Sequence, residues 1–141
     1  MPVKRIDSDN GVGNIIEGTG IVTDEEFIRF FKEHLTQDEK IFKKYRYSIV
    51  DFTKAIKFEI NNESVIYIEE LCRDASRVNP DPIVALVAKG DLAYGLSRMY
   101  EGLVIETDWE TMVFKSRKDA KLWIVERVAY KFGIKDLTFS D

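Results

Sequence analysis

Six consecutive apolar residues, Ile83-Val84-Ala85-Leu86-Val87-Ala88, sit between Asn79-Pro80-Asp81-Pro82 and the turn Lys89-Gly90-Asp91. A run of strand length without polar alternation needs apolar cover on both faces, the environment of a central parallel strand with helices on each side. The flanks agree. Before the run, Val65, Ile68, Leu71, Cys72, Ala75 and Val78 recur at helical spacing, and the prolines end that helix. After it, Leu92, Leu96, Met99, Tyr100 and Leu103 trace a second helical stripe, with Asp91 placed as its N-cap.

The same alternation extends in both directions. Tyr45–Phe52 is rich in aromatic and β-branched residues and reads as a buried strand, with Phe58 and Ile60 in the connection that follows and Asn61 or Asn62 capping the next helix. Thr111–Phe114 is a further strand with Trp109 near its start. Ser116-Arg117-Lys118-Asp119 opens a last helix whose core face is Ala120, Trp123, Ile124 and Val128, stopped by Gly133. At the other end, Val3–Ile6 and Val12–Val22 flank Asp9-Asn10-Gly11, a hairpin signal because these residues tolerate positive φ. Gly13, Gly18 and Gly20 mark bends or bulges in the second strand. Thr23-Asp24-Glu25-Glu26 has capping-box spacing ahead of Phe27, Ile28, Phe31 and Leu35, and residues 37–46 read as a loop or short helical turn. The predicted fold class is α/β: one mixed sheet of about five strands, an antiparallel hairpin followed by parallel βαβ units, flanked by about four helices. One domain spans residues 1–141, with its core over about 3–132 and residues 133–141 as a tail whose Leu137 and Phe139 dock on the body or on a neighbouring subunit.

Composition narrows the function classes. The chain is 45% hydrophobic and 33% charged, with a formal net charge of −4. An acidic balance argues against a nucleic-acid coat, so no nucleic-acid partner is expected. The lone Cys72 allows neither an internal disulfide nor a cysteine zinc site. No apolar run reaches the ~18–20 residues of a membrane span, and no leader is evident at the N-terminus, so a cytoplasmic protein is expected.

Catalytic and cofactor patterns do not assemble. His34, the single histidine, falls near the end of the first helix and reads as a solvated or dipole-stabilised cation. Cys72 lies on an apolar helix face, where a thiol is a small hydrophobe. No G-x-S-x-G elbow occurs. Gly11-Val12-Gly13 begins a strand instead of joining a strand to a helix, outside the phosphate-loop contexts. Glu101, Glu106, Asp108 and Glu110 lack cation-loop spacing and read as a solvated acidic rim. No enzyme, cofactor or metal is expected.

Two weaker constellations remain. Ligands of open α/β sheets bind beyond the carboxyl ends of the strands, and helix N-termini favour anions. That rim collects Asp51, Thr53, Lys89, Asp91, Ser116 and Arg117 as candidate ligand-binding residues. Separately, residues 40–57 carry Lys40, Lys43, Lys44, Arg46, Lys54 and Lys57 against the single acid Asp51, with aromatics interleaved. Lys40, Lys43, Lys44 and Arg46 are the candidate contacts to an anionic lipid surface, the basis for a peripheral membrane location.

Four segments carry a family resemblance: Gly20-Ile21-Val22-Thr23-Asp24-Glu25-Glu26, Tyr47-Ser48-Ile49-Val50-Asp51-Phe52-Thr53, Val84-Ala85-Leu86-Val87-Ala88, and Leu92-Ala93-Tyr94-Gly95-Leu96-Ser97-Arg98-Met99-Tyr100-Glu101. Together they resemble the SpoIIAA-like group within the STAS-type, anti-anti-sigma superfamily. The resemblance implies a mixed sheet flanked by helices in a small regulatory or ligand-responsive module. Its phosphorylated Asp-Ser-Ser-Gly turn is missing: after Thr53 the chain runs Lys54-Ala55-Ile56-Lys57, and neither Thr53 nor Ser64 matches the motif serine. Kinship of that superfamily with SEC14-type domains adds a hydrophobic ligand by analogy. The expectation is a non-enzymatic regulatory or interaction module, with a protein partner or homodimer. The alternative is a peripheral membrane protein or a binder of a small hydrophobic or anionic ligand.

Overall fold

The computed structural model describes residues 2–90 and 92–139, the side chains of Leu92, Ala93, Tyr94 and Leu96 excepted. Strands β1 (Val3–Ser8), β2 (Gly13–Val22), β3 (Tyr47–Phe58), β4 (Ile83–Val87) and β5 (Glu110–Phe114) form one sheet in sequential order β1-β2-β3-β4-β5. β1 and β2 pair antiparallel; every later pair is parallel. Among the described residues the helices are α1 (Asp24–Leu35), the four-residue α2 (Glu39–Phe42), α3 (Asn62–Val78), α4 (Leu92–Glu106) and α5 (Arg117–Phe132). The mixed α/β sheet is therefore as expected, with one more helix because residues 37–46 close into the single turn α2. The apolar run forms β4 between β3 and β5, and all five of its residues are buried.

Strand alternation divides the core in two. Ile16, Val50, Phe52, Val84 and Leu86 face α1, α3 and α4, while Ile15, Ile49, Ile83, Ala85 and Val87 face α5. α1 begins as the sequence predicts: Thr23 Oγ1 accepts from the Glu26 amide at 3.3 Å, and the Glu26 carboxylate receives the Thr23 amide at 3.3 Å and its hydroxyl at 2.8 Å. Thr23→Ala is expected to lower stability by about 1 kcal/mol, read by urea denaturation, with no change in the denaturant slope.

β3 runs on to Phe58, so Phe58 is a strand residue and not part of the connection; its ring packs 5.0 Å from Phe52 and 4.9 Å from Phe27. Gly20, at φ +64°, lies at one of two register irregularities between β2 and β3. Gly13 is required for space: a Cβ there would sit 2.0 Å from the Tyr47 ring. In the hairpin, Asp9, Asn10 and Gly11 all take positive φ. Asp9 also anchors the tail. Its carboxylate accepts from the Thr138 amide at 2.6 Å, the Thr138 hydroxyl at 2.8 Å and Tyr47 Oη at 2.6 Å. Phe139 stacks edge-on to Tyr47 at 5.3 Å and joins the α5-side core with the half-buried Leu137, so the tail docks on its own body. α5 ends at Gly133 in the left-handed conformation.

Candidate functional site

Because β2 and β3 run on to Val22 and Phe58, Glu17 and Asp51 lie mid-strand, and Asp51 is not at the carboxyl end the sequence suggested. Level with Val87 at the end of β4, they present two buried carboxylates to the α5 side. Glu17 and Asp51 are register partners, each two residues beyond an isoleucine of that core (Ile15, Ile49), so the pleat points them the same way. They are 6% and 2% exposed. Ser116 caps α5 by accepting from the Asp119 amide, which places Arg117 directly over the pair. Arg117 Nε donates to Asp51 Oδ2 at 2.6 Å, and Nη2 donates to Glu17 Oε1 at 2.5 Å. Asp51 Oδ1 accepts from the Thr53 amide at 2.8 Å and its hydroxyl at 2.7 Å. Lys54 and Lys4 approach Glu17 at 3.7 and 3.8 Å. Burial alone would raise the Glu17 carboxyl. The hydrogen bond and charge of Arg117, then Lys54 and Lys4, outweigh it and hold the group below its ordinary value.

Of the rim residues expected from sequence, Asp51, Thr53 and Arg117 thus converge, and Ser116 serves as a cap. Lys89 is exposed and makes no hydrogen bond or ion pair among the described residues, and Asp91 lies outside them. Arg117 is committed to the protein's own carboxylates, so this cluster ties α5 to the sheet. Glu17 was missed. Its signal is a carboxylate directly after the apolar pair Ile15-Ile16 inside a strand.

The basic stretch does not form one patch. Lys40, Lys43 and Lys44 are exposed beside α2 at the amino end of β3, whereas Lys54 and Lys57 lie near its carboxyl end, more than roughly 20 Å away at about 3.3 Å per residue. Lys43 pairs with Glu39 at 3.5 Å. Arg46 turns inward, donating to the Lys43 and Tyr45 carbonyls at 2.8 and 2.9 Å and lying 5.7 Å from the Phe132 ring centroid. The acidic residues of the 101–110 region are also partly paired: Glu106 meets Arg73 at 3.6 Å and Glu110 meets Arg127 at 2.8 Å.

On the other face, a cavity of about 50 Å³ lies between the sheet and the layer of α1, α3 and α4. Phe31, Phe42, Val50, Leu86, Met99 and Trp109 supply apolar wall. Its polar corner comes from neighbouring strands, where Asn14 and Ser48 are register partners. The Ser48 hydroxyl donates to Asn14 Oδ1 at 2.7 Å. Asn14 is 1% exposed, and its Nδ2 has no hydrogen-bond partner. Sequence reasoning passed over Asn14 and Ser48, although each is a polar residue flanked by apolar ones in a buried strand.

His34 also lines this cavity, and here the structure corrects the sequence reading of a helix-end cation. The side chain is 6% exposed. Its Nδ1 accepts from Arg5 Nη1 at 3.2 Å and lies 3.4 Å from Gln37 Nε2. An arginine only donates, so Nδ1 carries no proton and the neutral ring is protonated at Nε2. Burial, then the Arg5 charge, pushes the imidazole pKa down to about 3. Cys72, on the same wall, is pushed up to about 12 by burial and then by Glu69, so it remains a thiol.

The fold has a counterpart among solved structures. An uncharacterized protein of the DUF3478 family from Shewanella loihica PV-4, described as having a SpoIIAA-like fold, superposes with a TM-score of 0.51. The match is 16% identical and covers 86% of this chain and 91% of that one. No family model and no curated protein matches the chain. At that identity the likeness is one of fold, and the fold is SpoIIAA-like.

Proposed function

We propose that the protein is a non-enzymatic, ligand-responsive module that takes a small, mostly apolar molecule into the cavity beneath α1, α3 and α4. The observation that carries this reading is the cavity itself, whose walls are apolar apart from one polar corner, as in small-molecule sites generally. The cavity is small beside the ~150 Å³ that holds benzene in an engineered core. Its α4 wall is adaptable: Met99 has three rotatable bonds, and among the described residues Met99 and Leu103 are the α4 side chains that line the space. Movement of α4 would alter its outer surface, where Val104 and Ile105 are 52% and 79% exposed, which gives the regulatory reading a physical route to a partner or a second copy of the chain. A non-enzymatic role is supported by His34, the one histidine, whose basic nitrogen is occupied by Arg5 and Gln37.

The test is titration of isotope-labelled protein with cyclopentane. Saturable shifts are expected at the Met99 and Leu103 methyls and the Trp109 indole, and Met99→Ala is expected to tighten binding several-fold by widening the space. Shifts that never saturate, or that spread evenly over the surface, would remove the reading.

A further inference from the structure

The polar corner says what kind of molecule the cavity selects, an inference that rests on the reading above. Asn14 offers two amide protons from Nδ2, a group that is buried and unpartnered, while its Oδ1 is held by Ser48. His34 adds a second donor. With Nδ1 facing Arg5 and Gln37, the ring proton sits on Nε2, which makes no hydrogen bond among the described residues. Asn14 and His34 both line this largely apolar space, and the unpartnered Asn14 donor calls for an acceptor. A buried donor left unpaired carries a desolvation penalty, so a ligand that supplies the acceptor recovers what a pure hydrocarbon leaves in place.

Charge narrows the class further. Among the described residues no Lys or Arg lines the cavity, and Arg5 is held by Asp7 at 3.2 Å and by His34 Nδ1. A carboxylate or phosphate entering here would be desolvated without a cation to offset it. The geometry points to a small, neutral carbonyl compound (a ketone, aldehyde or ester on a short apolar skeleton) as the ligand class, its oxygen on Asn14 Nδ2 and its skeleton against Met99, Leu103 and Trp109. Selection between otherwise equal skeletons is then made by Asn14, and enclosure by the α4 side chains.

Three five-membered rings separate the outcomes: cyclopentanone as acceptor, cyclopentane with no polar group, and pyrrole as donor. Each is titrated into wild-type protein and into Asn14→Leu. The expected result is that the substitution weakens cyclopentanone about tenfold, the fold-change of one lost hydrogen bond, while cyclopentane binds as well or better. In the wild type the Asn14 side-chain amide protons should move downfield with cyclopentanone alone, a readout that does not depend on the variant folding. If cyclopentane and cyclopentanone bind but respond equally to Asn14→Leu, the carbonyl inference fails and the ligand-binding function stands. Tightest binding of pyrrole also overturns the inference. If all three are excluded and the Asn14 amide shows magnetisation transfer only to a trapped water, both the inference and the function beneath it are overturned.

Discussion

Arg117→Ala is expected to lower folding stability by about 3–5 kcal/mol at pH 7, the cost of stranding a buried charge cluster. The substitution removes the donor of Asp51 Oδ2 and of Glu17 Oε1 together, leaving two carboxylates side by side on adjacent strands at 2% and 6% exposure. Lys54 and Lys4 still stand near Glu17, whereas Thr53 bonds only the other oxygen of Asp51. Helix propensity works against the loss, since alanine is the better helix former, so any destabilisation belongs to the ion cluster. Acidification gives the sign check. In the wild type the depressed Glu17 carboxyl contributes stability that is present above its unfolded value of about 4.5 and is lost as pH falls through the lower folded value. In Arg117→Ala the contacts that outweighed the burial of Glu17 are largely gone, so this carboxyl holds a proton more readily and the gap between the two proteins should narrow from pH 7 to pH 5. Glu17→Gln in the Arg117→Ala background should recover a large part of the loss. Urea unfolding at both pH values checks all three results. A deficit under about 1 kcal/mol, the worth of a surface pair, would mean that water screens the cluster and that it does not pin α5.

The layer architecture was legible because its signals are local. Ile83–Ala88 announces a strand covered on both faces, the capping box announces α1, and Asp9-Asn10-Gly11 announces the hairpin; each is written within a few consecutive residues. Sequence also drew Asp51 and Arg117 toward one rim, because parallel strands export their carboxyl ends to the same side. What it could not supply was register. Glu17 meets Asp51, and Asn14 meets Ser48, only because of the register in which β2 and β3 pair across the connection between them. Within β2 alone, Asn14 and Glu17 are isolated polar residues in an apolar strand. Pairing makes Glu17 half of a buried ion cluster and leaves Asn14 with a buried, unpartnered donor among the residues that line a cavity. His34 was misread for a related reason. Its place near the end of α1 suggested solvent, but α2 and the Phe42 and Tyr45 rings fold over it at about 6 Å.

That enclosure makes a second measurable demand. Wild-type stability is expected to fall by about 2 kcal/mol between pH 7.5 and pH 5, and His34→Asn should remove most of the decline. The unfolded imidazole takes a proton near pH 6.5, while the folded one, desolvated and then opposed by Arg5, resists protonation down to about 3. Stability from this group is therefore complete above 6.5 and lost as pH falls, because the unfolded state binds the extra proton. None of the other groups with a shifted value produces this decline. Asp9, bonded by Tyr47, Thr138 and Phe139, is held below its ordinary value, and Glu17 likewise, so both titrate at lower pH. Glu69, raised by burial and then by Glu106, gains rather than loses stability on acidification. Tyr45, whose hydroxyl is held by Asp7 at 2.7 Å, is pushed up to about 12 and stays neutral throughout. Asparagine keeps an oxygen for the Arg5 donor but has no titrating ring, which isolates the term. An imidazole that titrates near 6.5 by NMR in the folded protein would sink this account. It would also place a cation in the cavity wall, opening the polar corner to carboxylates; a ring that stays neutral at pH 5 keeps that corner fit for a neutral acceptor alone.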